Sequence, residues 1–284
     1  MCVMSLFPVA QAYHGSPDGT KRDVASPGAN HSYSIIVNTT LRAAVIGYGR
    51  FGRFWAEWIA GEFTVQVASR RTLAGLPAGI RQVTLEEAAT ADLVFLTVPI
   101  SAVRDTLQRL APYLGPRTTV VDTCSVKVYP VTEMERILPA DAGIIACHPM
   151  FGPDSALTRT DLLPVIIWPV RDRHQRYHGL REVFGRLRMR IVEMTPEEHD
   201  REAAFTQGIT HLIGRLLAEM ELQPSEIATL GYRRLLQVME QTCNDPVQLF
   251  QDLQRYNGHT REMRRQFAQA LERTERLLSD ETLD

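Results

Sequence analysis

The stretch LRAAVIGYGRFG constrains this chain more than any other. Residues 41–46 form a short apolar run that stops at glycines, the pattern of a strand buried on both faces of a parallel sheet. From residue 50 to 61, Phe51, Phe54, Trp55, Trp58 and Ile59 recur at helical spacing. A GxGxxG loop between such a strand and such a helix is a dinucleotide fingerprint, whereas the same glycines elsewhere mean little. Gly47 permits the tight turn, and Gly49 lets the backbone approach a pyrophosphate. Gly52 lets helix and strand pack closely, and the helix N-terminus offers its free N–H groups to the phosphate charge. Tyr48, Arg50 and Phe51 complete the loop expected to line the cofactor.

The rest of the first two-thirds repeats this alternation. Residues 63–68, 92–98, 118–122, 143–146, 163–170 and 189–192 read as strands, and 101–110 and 174–187 as helices. Ser101 stands where an N-cap belongs, and the prolines of LPVIIWPV suggest an edge strand. Strands alternating with helices predict an α/β, Rossmann-type doubly wound parallel sheet. After Thr195-Pro196 only helical periodicity remains, opening with proline at the first helical position and acids in the first turn. The expected organisation is a flexible extension over 1–38, a dinucleotide-binding domain over 39–194 and an all-α domain over 195–284. A helical half of this kind often buries its apolar face against a second copy, so a homodimer is expected.

Composition excludes several classes. Lys and Arg total 31 against 33 Asp and Glu, a net charge of −2, so nothing suggests a phosphate-tracking nucleic-acid surface. No run approaches the about 20 apolar residues that span a bilayer. Cys2, Cys124, Cys147 and Cys243 are scattered without CxxC spacing, which reads as reduced thiols in a cytoplasm. The opening MCVMSLFPVAQAYH lacks a basic flank and is interrupted by Pro8, so a secretory signal is not expected.

Cofactor choice is set at the end of the second strand. An NAD site usually places Asp or Glu there to bond the ribose 2′-hydroxyl. Here VASRR puts Ser69 at that position, followed by Arg70 and Arg71. Guanidinium groups bind a 2′-phosphate that a carboxylate would repel, so NADP is preferred, with NAD possible. Thr97, Val98 and Pro99 end another strand at the same sheet edge and are expected near the nicotinamide ribose.

ACHPMFGPDS poses a separate question: a histidine sits where a buried strand meets a rigid, helix-forbidding turn. Three strand ends, TVPIS (97–101), DTCSVK (122–127) and CHPMFGPD (147–154), converge on one edge. Together with GYGRFG and PEEHD (196–200) they resemble the prephenate/arogenate dehydrogenase family, from about residue 41 to the C-terminal helices. That resemblance implies oxidative decarboxylation of a cyclohexadiene carboxylate in tyrosine biosynthesis. It assigns His148 to the hydroxyl that loses its proton. Ser125 is assigned to a hydrogen bond near the same hydroxyl, and Lys127 to electrostatic support. His199 and His211 are placed at the substrate cleft. The residue types fit independently: hydride loss from an alcohol carbon is eased by a base that titrates near neutrality, held in one geometry. No HxxH or HExxH spacing suggests a metal site, and Cys124 and Cys147 read as small packers.

One position departs from the family. Family members carry a carboxylate-binding arginine shortly before an Asp-Pro of the helical half. Before Asp245-Pro246 this chain reads VMEQTCN, with Glu240 about where arginine is expected. Arg233, about two turns earlier on the same helix face, is the substitute candidate, with Arg234 second. Prephenate is the first substrate expectation. Arogenate or 4-amino-4-deoxyprephenate, each bearing an amine, are the alternatives that an acid would suit. The resemblance brings no chorismate mutase domain. A β-hydroxyacid or imine reductase of similar plan would place a lysine on the first long helix after the sheet, and residues 196–222 contain none. A non-catalytic NADP sensor would have no need of His148 and Ser125.

Overall fold

The computed structural model describes residues 41–157 and 163–279, so the expected extension over 1–38 lies outside the described residues. Its elements run β1 (Arg42–Ile46), α1 (Arg50–Ile59), β2 (Thr64–Ala68), β3 (Ile80–Val83), α2 (Leu85–Ala88), β4 (Leu93–Leu96), α3 (Val103–Leu110), β5 (Thr119–Asp122), α4 (Val128–Ile137), β6 (Gly143–Pro149), α5 (Pro153–Leu157), β7 (Leu163–Arg171), α6 (Arg176–Arg186) and β8 (Met189–Glu193). Helices then follow one another: α7 (Pro196–Ala203), α8 (Ile209–Glu219), α9 (Leu230–Cys243), α10 (Val247–Tyr256) and α11 (Thr260–Ser279).

The eight strands form one sheet in the order β3-β2-β1-β4-β5-β6-β7-β8. Every pairing is parallel except β6 with β7. The strand order turns back on itself at β1, which has β2 on one side and β4 on the other. Ligands of such sheets bind in the crevice this reversal opens at the carboxyl ends. Both faces of the sheet are covered. Trp55, Phe95 and Phe184 anchor the core on one side, and Leu107, Leu110 and Met134 the core on the other. This is the Rossmann-type arrangement with a helical C-terminal region that the alternating pattern predicts.

Three local expectations change. Ser101 does not cap α3: it lies in a single 3-10 turn (Ile100–Ala102), and its N–H and hydroxyl both donate to Asp252 of α10, at 3.0 and 2.8 Å. A buried carboxylate from a distant helix outcompetes the local cap. β7 is not an edge strand, because β8 pairs beyond it. Pro169 stands opposite Ile145, beside a register irregularity at Ile144/Ile145, and Pro164 lies near the start of β7, where its carbonyl accepts from the Met150 N–H at 2.9 Å. β3 (IRQV) and α4 (VYPVTEMERI) carry no clear periodic signal and emerge only in the structure.

The helical region starts as its sequence predicts. Thr195 and Glu198 close a reciprocal capping box around Pro196. Between α7 and α8 the helix widens into a π turn (Ala204–Gly208), a local change of phase that apolar spacing does not announce.

Candidate active site

The glycine loop has the geometry its sequence requires. Gly47 adopts φ +102°, a conformation side chains avoid, and a Cβ there would lie 3.0 Å from the Thr97 carbonyl oxygen. Gly52 has no room for a side chain. Gly49 differs: a Cβ added there meets nothing within 4 Å. It is the N-cap of α1 and no side chain caps the helix, so the first N–H groups face an open cradle. An open backbone at a helix N-terminus, ringed by glycines that cannot be replaced, fits a dinucleotide pyrophosphate.

The neighbouring positions divide between packing and surface. Phe51 stacks on Trp55 at 5.8 Å, and the Tyr48 hydroxyl is buried without a partner among the described residues. Ser69 Oγ accepts from the Arg71 N–H at 3.2 Å, which tightens the turn after β2, and Arg70 and Arg71 project into solvent. Thr97 Oγ1 donates to the Gly47 carbonyl at 2.6 Å and so ties the end of β4 to the loop. Val98 is half-buried and Pro99 exposed beyond it. Arg50 reaches outward, paired with Asp154 of the HPMFGPD loop and, at 3.4 Å, with Asp245.

His148 is the penultimate residue of β6, opposite Ile166 of β7. The peptide before it is held at both ends. Asp122 accepts from the Cys147 N–H at 3.3 Å, and Lys127 Nζ donates to the Cys147 carbonyl at 2.6 Å. Asp122 and Lys127 are themselves ion-paired in full burial. Burial pushes the Asp122 carboxyl up, opposed chiefly by the Lys127 ammonium. Lys127 therefore lies beneath the strand, where it fixes the backbone that carries the imidazole. Burial raises both neighbouring thiols, Cys124 and Cys147.

The helical region completes the site. His148 Nδ1 lies 2.8 Å from His199 Nε2, and His199 Nδ1 lies 2.8 Å from Asp200 Oδ1. All three side chains are buried, at 2%, 2% and 1% exposure. Burial holds the His148 imidazole well below its usual range, assisted by His199 and by the Lys127 charge, so it is neutral near pH 7. Its Nε2 has no hydrogen-bond partner among the described residues. The Ser125 hydroxyl, half-buried in the β5–α4 turn, has none among them either. The contact between His148 and His199, and the part played by Asp200, were not legible in the sequence. The adjacency in PEEHD was the one signal available.

His211 lies buried on α8, its Nδ1 unpaired among the described residues. Burial lowers its pKa, against the pull of Asp245. One turn on, Arg215 donates to the carbonyls of Asp245 and Thr242, at 2.7 and 3.2 Å, with its Nε unpaired among the described residues. Arg215 was not among the residues singled out from the sequence. Arg233, Arg234 and Glu240 are instead exposed on α9, and Arg233 donates to the nearby Ala228 carbonyl. No hydrogen bond or ion pair among the described residues joins those three to His148 or His211. The face of α9 that packs inward carries Thr242, whose hydroxyl fills the space a Gly214 side chain would take.

Known proteins are similar to this chain in sequence and in fold. Residues 67–193 match the family model described as "Prephenate dehydrogenase, nucleotide-binding domain", and 216–284 match "TYRAAT1-like, C-terminal domain". The chain is 31% identical over 253 residues to arogenate dehydrogenase 2, chloroplastic, of Arabidopsis thaliana, covering 84% of this chain and 68% of that protein. It is 32% identical over 255 residues to arogenate dehydrogenase 1, chloroplastic, of the same plant, covering 85% of this chain and 40% of that one. Across these two relatives the chain thus spans from 40% to 68% of their length. Among solved structures, the fold is similar to prephenate dehydrogenase of A. aeolicus in complex with hydroxyphenyl propionate and NAD+. The TM-score is 0.64 at 17% identity, over 84% of this chain and 91% of that one. It is likewise similar to Synechocystis arogenate dehydrogenase, with a TM-score of 0.62 at 21% identity over 84% and 92% of the two chains.

Proposed function

Because this chain belongs to the prephenate/arogenate dehydrogenase family, we propose that it carries out the NAD(P)-dependent oxidative decarboxylation of prephenate or arogenate in tyrosine biosynthesis. The observation that carries the reading is His148: a neutral, buried imidazole fixed at a strand end, with Nε2 unpaired among the described residues, on the sheet edge that also bears the glycine cradle.

The bound nicotinamide supplies the acceptor for the hydride that leaves the carbinol carbon. The chain's own residues do the rest. Gly49 and the N-terminus of α1 hold the pyrophosphate. His148 Nε2 takes the hydroxyl proton as the C–O bond becomes a carbonyl. Carbon dioxide then leaves the opposite ring carbon, its bonding electrons aromatise the ring, and the oxygen, now phenolic, recovers the proton from His148. Ser125 orients the same oxygen, and Lys127 keeps the β6 backbone in register beneath it. His211 and Arg215 present polar groups to the substrate from α8, in place of the exposed Arg233, Arg234 and Glu240.

NADP is the preferred cofactor, supported by Arg70 and Arg71 beside an acid-free end of β2. Residues 39–194 act as the dinucleotide-binding domain and 195–284 as the substrate and dimerisation domain. Leu216, Met220, Leu230 and Leu235 are exposed on α8, α9 and the connection between them, and a second copy covers them in a homodimer. Light scattering at the mass of one chain would exclude that assembly. No described helix is long and apolar enough to cross a membrane. The free thiols of Cys124, Cys147 and Cys243 fit a reducing compartment such as the cytoplasm.

The test is reduction of NADP and NAD with prephenate, arogenate and 4-amino-4-deoxyprephenate in parallel. Turnover of prephenate or arogenate is expected, and H148N should lower kcat by about 10²–10⁴-fold. Silence with all three substrates, or near-normal turnover by H148N, overturns the reading.

A further inference from the structure

Asp200 faces no open cleft, yet its carboxylate gathers three donors. Oδ1 accepts from the Lys127 N–H at 2.7 Å, Oδ2 from the Val128 N–H at 3.0 Å, and His199 Nδ1 lies 2.8 Å from Oδ1. The first two are the opening N–H groups of α4, whose N-cap residue, Lys127, offers no side-chain cap of its own. Asp200, reaching across from α7, caps that helix in its place. Its backbone is tied down as well, since Asn257 Nδ2 donates to the Asp200 carbonyl at 2.7 Å.

This arrangement fixes where protons sit. Backbone N–H groups only donate, so both Asp200 oxygens act as acceptors toward α4. An ionised carboxylate only accepts, so the hydrogen between His199 and Asp200 belongs to His199 Nδ1. When His199 carries a single hydrogen, on Nδ1, its Nε2 is bare. The hydrogen of the 2.8 Å contact then lies on His148 Nδ1, and a neutral His148 keeps its lone pair on Nε2.

Building on the proposed reaction, we infer that Asp200 is a positioning residue that sets the tautomers of His199 and, through it, His148, so that the His148 Nε2 lone pair faces the substrate hydroxyl. In the forward step that lone pair takes the hydroxyl proton. The resulting imidazolium keeps its Nδ1–H on His199 Nε2, and the positive charge is balanced through His199 by the Asp200 carboxylate. The proton returns to the phenolic oxygen after decarboxylation, so the chain ends in its starting state. Lys127, from the turn before α4, is the other charge facing His148. Its pairing with Asp122 turns it toward the β6 backbone and away from the relay.

The inference is tested first in the cofactor-free protein. Long-range ¹H–¹⁵N spectra of the imidazoles at neutral pH should show His199 and His148 both protonated at Nδ1, the less common tautomer. Nε2-protonated rings at both positions overturn it. The second test is D200A, which removes the acceptor at His199 Nδ1, frees both tautomers and leaves the His148 lone pair without a fixed outward direction. It should lower kcat by about 10²–10⁴-fold, as a misoriented tautomer does elsewhere, with KM nearly unchanged. In an H199N background the same change should cost no more than about threefold, because Asp200 acts through His199. Costs that multiply in the double variant would make Asp200 a helix cap alone and overturn the assignment. If D200A does not fold, the wild-type spectra still decide. If the wild type turns over no cyclohexadiene, the proposed reaction falls, while the tautomers remain measurable independently.

Discussion

A Cβ on Gly52 would lie 2.0 Å from the Gly47 carbonyl oxygen and 2.7 Å from Thr97 Oγ1. Neither neighbour can yield, because Gly47 is held in its turn and Thr97 Oγ1 already bonds the same carbonyl. G52A should therefore destabilise the folded chain by about 1–3 kcal/mol, the usual cost of overpacking. Gly49 provides the contrast. Its φ of −81° suits any residue and a Cβ there meets open space. G49A should leave stability within about 1 kcal/mol of wild type, yet obstruct the cradle and weaken dinucleotide binding at least about tenfold. Thermal melts and a fluorescence titration with NADP separate the two. Equal binding by G49A and wild type would show that the pyrophosphate does not lie there.

Arg70 and Arg71 follow Ser69 at the end of β2, and both are exposed. Exposed side chains of this kind contribute little to stability, so R70D/R71A should melt within about 0.5 kcal/mol of wild type. The ratio of kcat/KM for NADP over NAD should fall by about tenfold or more, since a guanidinium fork is replaced by a carboxylate that repels the 2′-phosphate. An unchanged ratio would assign cofactor choice to other residues.

His148 and His211 both titrate below the ordinary imidazole value of 6.5, chiefly because they are buried. As pH falls below that value the unfolded chain takes up protons that the folded chain refuses, so stability declines. The contribution is intact above 6.5 and is lost over the interval down to each depressed folded-state value. Each histidine adds a slope of at most about 1.4 kcal/mol per pH unit. Asp245, whose carboxyl burial raises, acts in the opposite sense at lower pH. Urea midpoints measured from about pH 8 to about pH 5.5 should fall on acidification, and less steeply for H148N. Identical slopes for the two proteins would show that His148 is not a refused proton site.

Much of the α/β architecture was legible because its signals are local. A strand buried on both faces reads as an unbroken apolar run, and GYGRFG reads as a turn that only glycine can make. The elements that escaped lack such signals. β3 mixes Arg81 and Gln82 into four residues, and α4 begins with a proline near its start. Ser101 carried a correct local preference that a stronger distant acceptor, Asp252, overrode.

Residue type and short spacing sufficed to mark the glycine loop and to place His148 at a strand end, while only the family resemblance assigned His199 and His211 to a substrate cleft. What spacing does not encode is how separate elements meet. His148 and His199 are 51 residues apart, and Arg50 and Asp245 are 195 apart. Whether such side chains touch depends on helix tilt, on the phase change at the π turn and on which face of α9 turns inward. Those are outcomes of packing across the whole core. Packing joined Asp200, His199 and His148 into one line, put Arg215 beside His211, and left Arg233 and Glu240 in solvent.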